Sequence, residues 1–218
     1  MTSDDVLTLF RAEVADTALP YLWADEDVYG YIDDAQKMFC RWTDGIADVS
    51  SVFLQLNVTP GADGMSTDLS IKRYRGAWRL DNGKEIDLIS REIMPSKGLR
   101  FDGQTGPVRR LVIGMEDGYL RVHPVSNETV SIQLSVFRMP VNDITPDLAP
   151  QDFEINPRHH RHLLLWVKHL AYNKQDTETL DVNKSEKFKQ AFKDYCAEVV
   201  IEDHLKRHTG GAVAYEGY

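Results

Sequence analysis

Seven histidines occur in the 218-residue chain, and four of them, His159, His160, His162 and His169, fall close together. Asp176, Glu178 and Asp181 follow shortly after. Imidazoles and carboxylates at this density are the ligand types of a metal-dependent hydrolase. Their spacing argues otherwise. A zincin helix sets two histidines four residues apart with a glutamate between them, so that both rings leave one helix face beside the base. No pair among these four histidines keeps that spacing, and the carboxylates lie beyond the expected helix end. The histidines therefore read as solvated or interfacial side chains near a helix start. The run Asp176–Asp181 reads as capping and turn chemistry between two helices.

Other chemistries find no support. There is no G-x-S-x-G elbow, and neither G-x-x-x-x-G-K nor G-x-G-x-x-G occurs. Cys40 and Cys196 sit on the apolar sides of expected helices, which predicts buried thiols rather than a disulfide. Arg109-Arg110, and Lys72-Arg73 with Arg75, are basic spots that exposed strand faces explain. A net charge of −9 argues against a protein that grips phosphates. The longest apolar run, Leu163–Val167, is far short of the roughly 18 residues of a membrane span. The acidic first residues do not form a secretory leader, so the sequons at Asn57 and Asn127 carry no weight. The expectation is a non-enzymatic assembly or binding protein, without catalytic, cofactor-binding or metal residues and without a membrane partner.

The elements that would hold these side chains follow from periodicity. Thr2 or Ser3 can cap a first helix with Val6, Leu7, Phe10 and Val14 on one face, ended by Pro20. Tyr21, Leu22 and Trp23 make the next connector too apolar for a free loop, so it is expected to pack down. Asp25 is the expected cap of a second helix running to about Trp42. From Ser51 the period changes to two, and Pro60-Gly61, Arg75-Gly76, Asp81-Asn82-Gly83 and Glu116-Asp117-Gly118 supply turns between seven or so strands. Helical spacing returns after Asn156 and Pro157, with Leu163, Trp166, Val167 and Leu170 on one stripe. Asn183, with Glu186 three residues on, reads as the cap of a last helix carrying Phe188, Phe192, Tyr195 and Val199. These two helices make a hairpin with its aromatic faces inward.

The expected fold class is α+β. Residues 1–48 form a helix pair, 49–140 an inserted antiparallel β-sandwich or barrel, 141–156 a linker and 157–207 the helical hairpin. The two helix pairs are expected to combine as a four-helix bundle. Residues 208–218 form a glycine-flexible C-terminal arm ending in aromatic residues.

The segments D16-T-A-L-P-Y-L-W-A-D-E-D, Y31-I-D-D-A-Q36 and A171-Y-N-K-Q-D-T-E-T-L-D181, with F188-x-x-x-F192 and the strand exit R138-M-P140, resemble the head-to-tail adaptor (connector) proteins of short-tailed bacteriophages. The resemblance runs in order over almost the whole chain. It departs at Ala24, where a serine or threonine cap is expected. It implies a structural virion protein at the head–tail junction, made in the host cytoplasm. Such a protein forms a ring, usually dodecameric, beneath the portal protein and receives the tail nozzle or tube protein. Genomic DNA passes through its channel without sequence-specific binding. Carried onto this chain, the portal-binding arm includes Leu205, His208, Val213, Tyr215 and Tyr218. The structural hairpin includes Trp166, Tyr172, Asp176, Glu178, Asp181, Phe188 and Phe192. Two other readings stand beside it. Tyr74, Trp78 and Tyr119 on the β-region fit a carbohydrate- or peptide-binding module, and the histidine helix fits a metal-dependent hydrolase.

Overall fold

The computed structural model describes residues 1–100 and 103–208 and divides the chain into two units. One joins Met1–Gly45 to the chain from Pro140 onward, and the other is Ile46–Met139.

The first unit contains the helices α1 (Ser3–Glu13), α2 (Asp25–Trp42), α3 (Leu163–Asn173) and α4 (Val182–His208). Thr2 caps α1 reciprocally with Asp5: its hydroxyl accepts from the Asp5 N–H, and its own N–H donates to the Asp5 carboxylate at 2.8 Å. Asp25 is not the cap of α2. Ala24 holds that position without a side-chain bond, while Asp25, Glu26 and Asp27 fill the first turn, where the helix dipole favours negative charge. The Asp25 carboxylate instead pairs with buried Arg11. Only part of the connector before α2 packs down. Trp23 is 2% exposed, edge-on to Phe10 and Tyr172, but Tyr21 and Leu22 stay on the surface. Asp16 decides this by accepting from Arg11 at 2.6 Å and from the Leu22 N–H at 2.9 Å, which holds the connector by polar bonds.

A 3-10 segment, Pro157–His162, precedes α3, with the Asn156 carboxamide accepting from the Arg158 N–H. The cap of α4 is Asp181 rather than Asn183: its carboxylate accepts from the Lys184 N–H at 3.0 Å and its carbonyl from the Ser185 N–H. The hub is α3, which packs against α1, α2 and α4. Leu163, Leu164, Val167 and Ala171 are buried there, so this helix has almost no solvent face. Residues 141–156 pack on the helices too. Ile144, Phe153 and Ile155 are buried, and the Glu154 N–H donates to the Gln36 side chain at 2.8 Å.

The second unit has strands β1 (Ile46–Asp48), β2 (Gln55–Val58), β3 (Gly64–Ser66), β4 (Ile71–Arg79), β5 (Asp87–Ser90), β6 (Thr105–Gly106), β7 (Arg110–Glu116), β8 (Tyr119–His123), β9 (Val125–Ser126) and β10 (Val130–Arg138). β10 pairs antiparallel with β4 on one edge and with β1 and β2 on the other. A second sheet has the order β3-β8-β7-β5. The expected hairpin at Glu116-Asp117-Gly118 joins β7 to β8, and Gly118 has φ +67°, with Leu69 lying 2.7 Å from where a Cβ would stand. Alternate residues Ile132, Leu134 and Val136 of β10 point into one core with Leu56, Val58, Leu111, Leu120 and Val122. The expectation of a wholly antiparallel sandwich or barrel is corrected in two respects. β5 with β7 and β6 with β9 are parallel, and no closed barrel forms among the described residues. Alternation reports which face is buried and carries no record of strand direction. The glycine- and proline-punctuated stretch 91–109 supplies the crossover a parallel neighbour requires.

Candidate functional site

Two of the clustered histidines, His159 and His169, are held by hydrogen bonds that serve the α3–α4 hairpin, and a third, His162, by ring stacking. The Nε2 of His159 accepts from the Arg158 Nε at 2.9 Å, so its Nδ1 carries the proton and donates to the Tyr195 hydroxyl at 2.7 Å. His162 stacks flat on the same Tyr195 ring, with centroids 3.7 Å apart. The Nδ1 of His169 meets the Ser185 hydroxyl at 2.8 Å, fixing α3 to the first turn of α4. Arg158 reaches on to Asp203 at 3.1 Å. Among the described residues, no group of three His, Cys, Asp or Glu side chains is placed to hold a metal ion. Both cysteines are free and buried, and burial pushes the Cys196 thiol up to about 12.

Burial disfavours the imidazolium at His159, and the Arg158 guanidinium adds repulsion; only Asp203 opposes them, so the group titrates at about 4. His162 and His169 are shifted in the same direction, chiefly by burial. In the unfolded chain these rings take a proton near 6.5, whereas the folded chain refuses it, so acid draws the equilibrium towards unfolding. The helical unit is expected to lose stability as pH falls from 6.5 towards 4, with full stability above that window. The contribution of His159 has a limiting slope of about 1.4 kcal/mol per pH unit. Chemical denaturation of wild type and His159→Gln across this window checks it, and the variant should show the shallower slope.

The expected hairpin residues fall into two places. Trp166 and Phe192 meet Trp42 of α2 in one aromatic cluster, with centroids 5.0–5.7 Å apart, and the Trp166 indole donates to Asp34 at 2.6 Å. Tyr172 stacks on Phe188 at 6.0 Å. Asp176 and Glu178 are exposed in the α3–α4 connector, so these carboxylates are not brought together with the histidines. Of the expected arm, Leu205 is on the final turns of α4 and 65% exposed. His208 ends that helix, and Val213, Tyr215 and Tyr218 lie outside the described residues. Among the described side chains Val199 is the last buried one of α4; beyond it Ile201 and Leu205 stand exposed one turn apart.

Charge is divided between the units in a way the total conceals. Ile46–Met139 holds twelve Lys and Arg against eleven Asp and Glu, a net of +1, which leaves −10 on the helical unit. On the β4–β10 pair the guanidinium groups of Arg73 and Arg75 both lie 4.8 Å from the ring of Phe137, which is 4% exposed. Beside them is a cavity of about 410 Å³ lined by Arg75, Gly76, Trp78, Glu85 and Ser135. Sequence reasoning left the two arginines as an ordinary strand face. The R-x-R spacing puts both on one side of a strand, but only the register with β10 shows the aromatic ring beneath them.

A family model described as SU10 adaptor protein matches residues 1–214. The chain belongs to the SU10 adaptor family. That agrees with the phage-adaptor resemblance and makes the chain a structural adaptor of the phage virion type, a class that works through contacts with portal and tail proteins. A comparison with curated proteins finds no match. In this adaptor, no helix among the described residues is long and apolar enough to cross a membrane. Its His159, His162 and His169 join the chain around α3 to α4, and Asp181 caps α4.

Proposed function

We propose that this adaptor forms a homo-oligomeric ring beneath the portal, joins the portal to the tail nozzle and surrounds the channel through which the genome leaves. The observation that carries the proposal is the family match over residues 1–214. The helices act as the bundle that docks, and the β-unit faces the nozzle or neighbouring copies. The −10 charge of the helical unit suits a wall that DNA passes without being held. The end of α4, with Leu205 and His208, leads into an arm whose Val213, Tyr215 and Tyr218 bind portal. Exposed Ile201 and Leu205 support this, since they leave the start of the arm with apolar surface to bury.

Deleting the residues after Lys206 tests the arm. Native mass spectrometry of wild type mixed with assembled portal is expected to show a stoichiometric ring, and the truncated chain is expected to stay folded yet remain off the portal. Docking of the truncation at wild-type levels would sink the arm assignment.

A further inference from the structure

We propose that the cationic loop 91–100 of one copy docks on the acidic, apolar end of the helical unit of a second copy. This rests on the ring reading and specifies one of its contacts. A ring needs two different surfaces per subunit, complementary to each other. Which charges are already paired within the chain identifies both surfaces, and the sum over either unit does not.

The loop carries Arg91, Lys97 and Arg100 against Glu92, three cations to one carboxylate and so a local net of +2. All four side chains are exposed, and none of the three cations forms an ion pair among the described residues. Ile93 stands between them at 47% exposure. Met94 anchors the loop from below, packed with Ile89 and Val112, and its carbonyl accepts from the Leu99 N–H at 3.0 Å. The Lys97 N–H donates to the Ile93 carbonyl at 3.3 Å and closes the 3-10 turn Pro95–Lys97. The loop therefore has its shape before it meets a partner, which lowers the ordering cost of docking.

The helical end has the reverse pattern. The Trp23 indole donates to the Ala171 carbonyl at 2.9 Å, and Lys174 bonds Asp27 at 2.7 Å. These bonds draw the connector before α2 to the junction of α3 and α4. Four carboxylates there are paired within the unit: Asp16 and Asp25 with Arg11, Asp27 with Lys174, and Asp181 with Lys184. Glu26, Asp176 and Glu178 are exposed and form no ion pair among the described residues. The same segments leave Leu22 at 45%, Leu180 at 48% and Val182 at 62% exposure. Carboxylates interleaved with uncovered aliphatic side chains match cations set around an uncovered isoleucine. A phosphate backbone could pair with the cations but would leave Ile93 in water, so a protein surface is the better occupant.

The experiment is sedimentation of the full chain at low and high salt, alone and with assembled portal, for wild type, R91E/K97E, E26K/E178K and all four changes together. Thermal unfolding checks that each variant is folded, as expected for four surface positions. Each double variant should weaken copy-to-copy association at least about tenfold, and the fourfold variant should recover much of it. High salt should weaken wild type in the same direction. Double variants that assemble like wild type overturn the docking while leaving the adaptor reading intact. So does a fourfold variant no better than either double, because the two surfaces then do not meet each other. An R91E/K97E variant that assembles normally but loses binding to a single-stranded oligonucleotide also overturns it and assigns the loop to nucleic acid. A wild-type chain that never joins portal overturns the adaptor reading instead. Self-association of the concentrated free chain then decides the docking, and its absence, or no difference between wild type and the double variants, rejects it.

Discussion

Replacing Asp48 with alanine is expected to destabilise the β-unit by about 3–5 kcal/mol, the usual cost of breaking a buried ion pair from one side. The Asp48 carboxylate accepts from the Arg138 Nε at 2.6 Å, from the Ser51 hydroxyl at 2.6 Å, and from the backbone N–H groups of Ser50 and Ser51 at 3.0 and 3.1 Å. Burial by itself would raise its pKa. The hydroxyl, the guanidinium and the two amides outweigh that and hold the group well below the usual carboxylate range. Alanine removes four acceptor bonds together, one of them from the guanidinium of Arg138, which is only 9% exposed. The loss should appear as a lower denaturation midpoint for β-sheet signal. Changing Arg138 to methionine as well should recover part of it, because both ends of the buried Asp48–Arg138 bond are then removed together. A D48A chain as stable as wild type would show that the pair contributes nothing net. The acid dependence of this bond has its own window. The folded pKa is depressed, so the stabilisation is complete above about 4 and fades below it, after the histidine transition of the helical unit is over.

Phe192→Ala is expected to cost the helical unit about 3–5 kcal/mol. Phe192 is fully buried between Trp166 at 5.4 Å and Trp42 at 5.7 Å, and those two rings are edge-on at 5.0 Å. Removing the ring deletes its transfer energy and opens a void that two indoles cannot close without leaving their own contacts, one of them the Trp166 bond to Asp34. Tryptophan emission should shift to the red as the cluster loosens, and the unfolding midpoint should fall with it. Phe188→Ala is the comparison: that ring is only half-buried, against Tyr172, and its loss should cost clearly less. Equal losses at the two positions would count against the aromatic cluster as the element that joins α2 to the hairpin.

Local signals in the sequence determined the positions of the elements. Helical spacing of Val6 and Phe10, of Leu163, Trp166 and Val167, and of Phe192 and Val199 marks faces that are buried, because burying a stripe requires that period. Alternation along β10 marks its core face for the same reason. Proline, glycine and short polar side chains marked most of the turns. Caps were legible only to within a residue or two, since several neighbours could each supply the oxygen: Asp181 took the place expected of Asn183, and Asp25 was drawn away from capping by Arg11, fourteen residues earlier in the chain.

The tertiary structure alone decided what depends on partners distant in sequence. The parallel pairing of β5 with β7 is one such outcome, since a strand's own residues state its buried face and leave its neighbour's direction open. The histidines are another. Their spacing read as solvated or interfacial side chains rather than a metal site, and what assigned His159 and His169 to the hairpin was Tyr195 and Ser185, supplied by a different helix. The division of charge does not show in the total, because −9 sums a β-unit at +1 and a helical unit at −10. Hydrophobic period is written locally in the chain, whereas charge, hydrogen-bond partners and strand direction take their meaning from what the fold places opposite them.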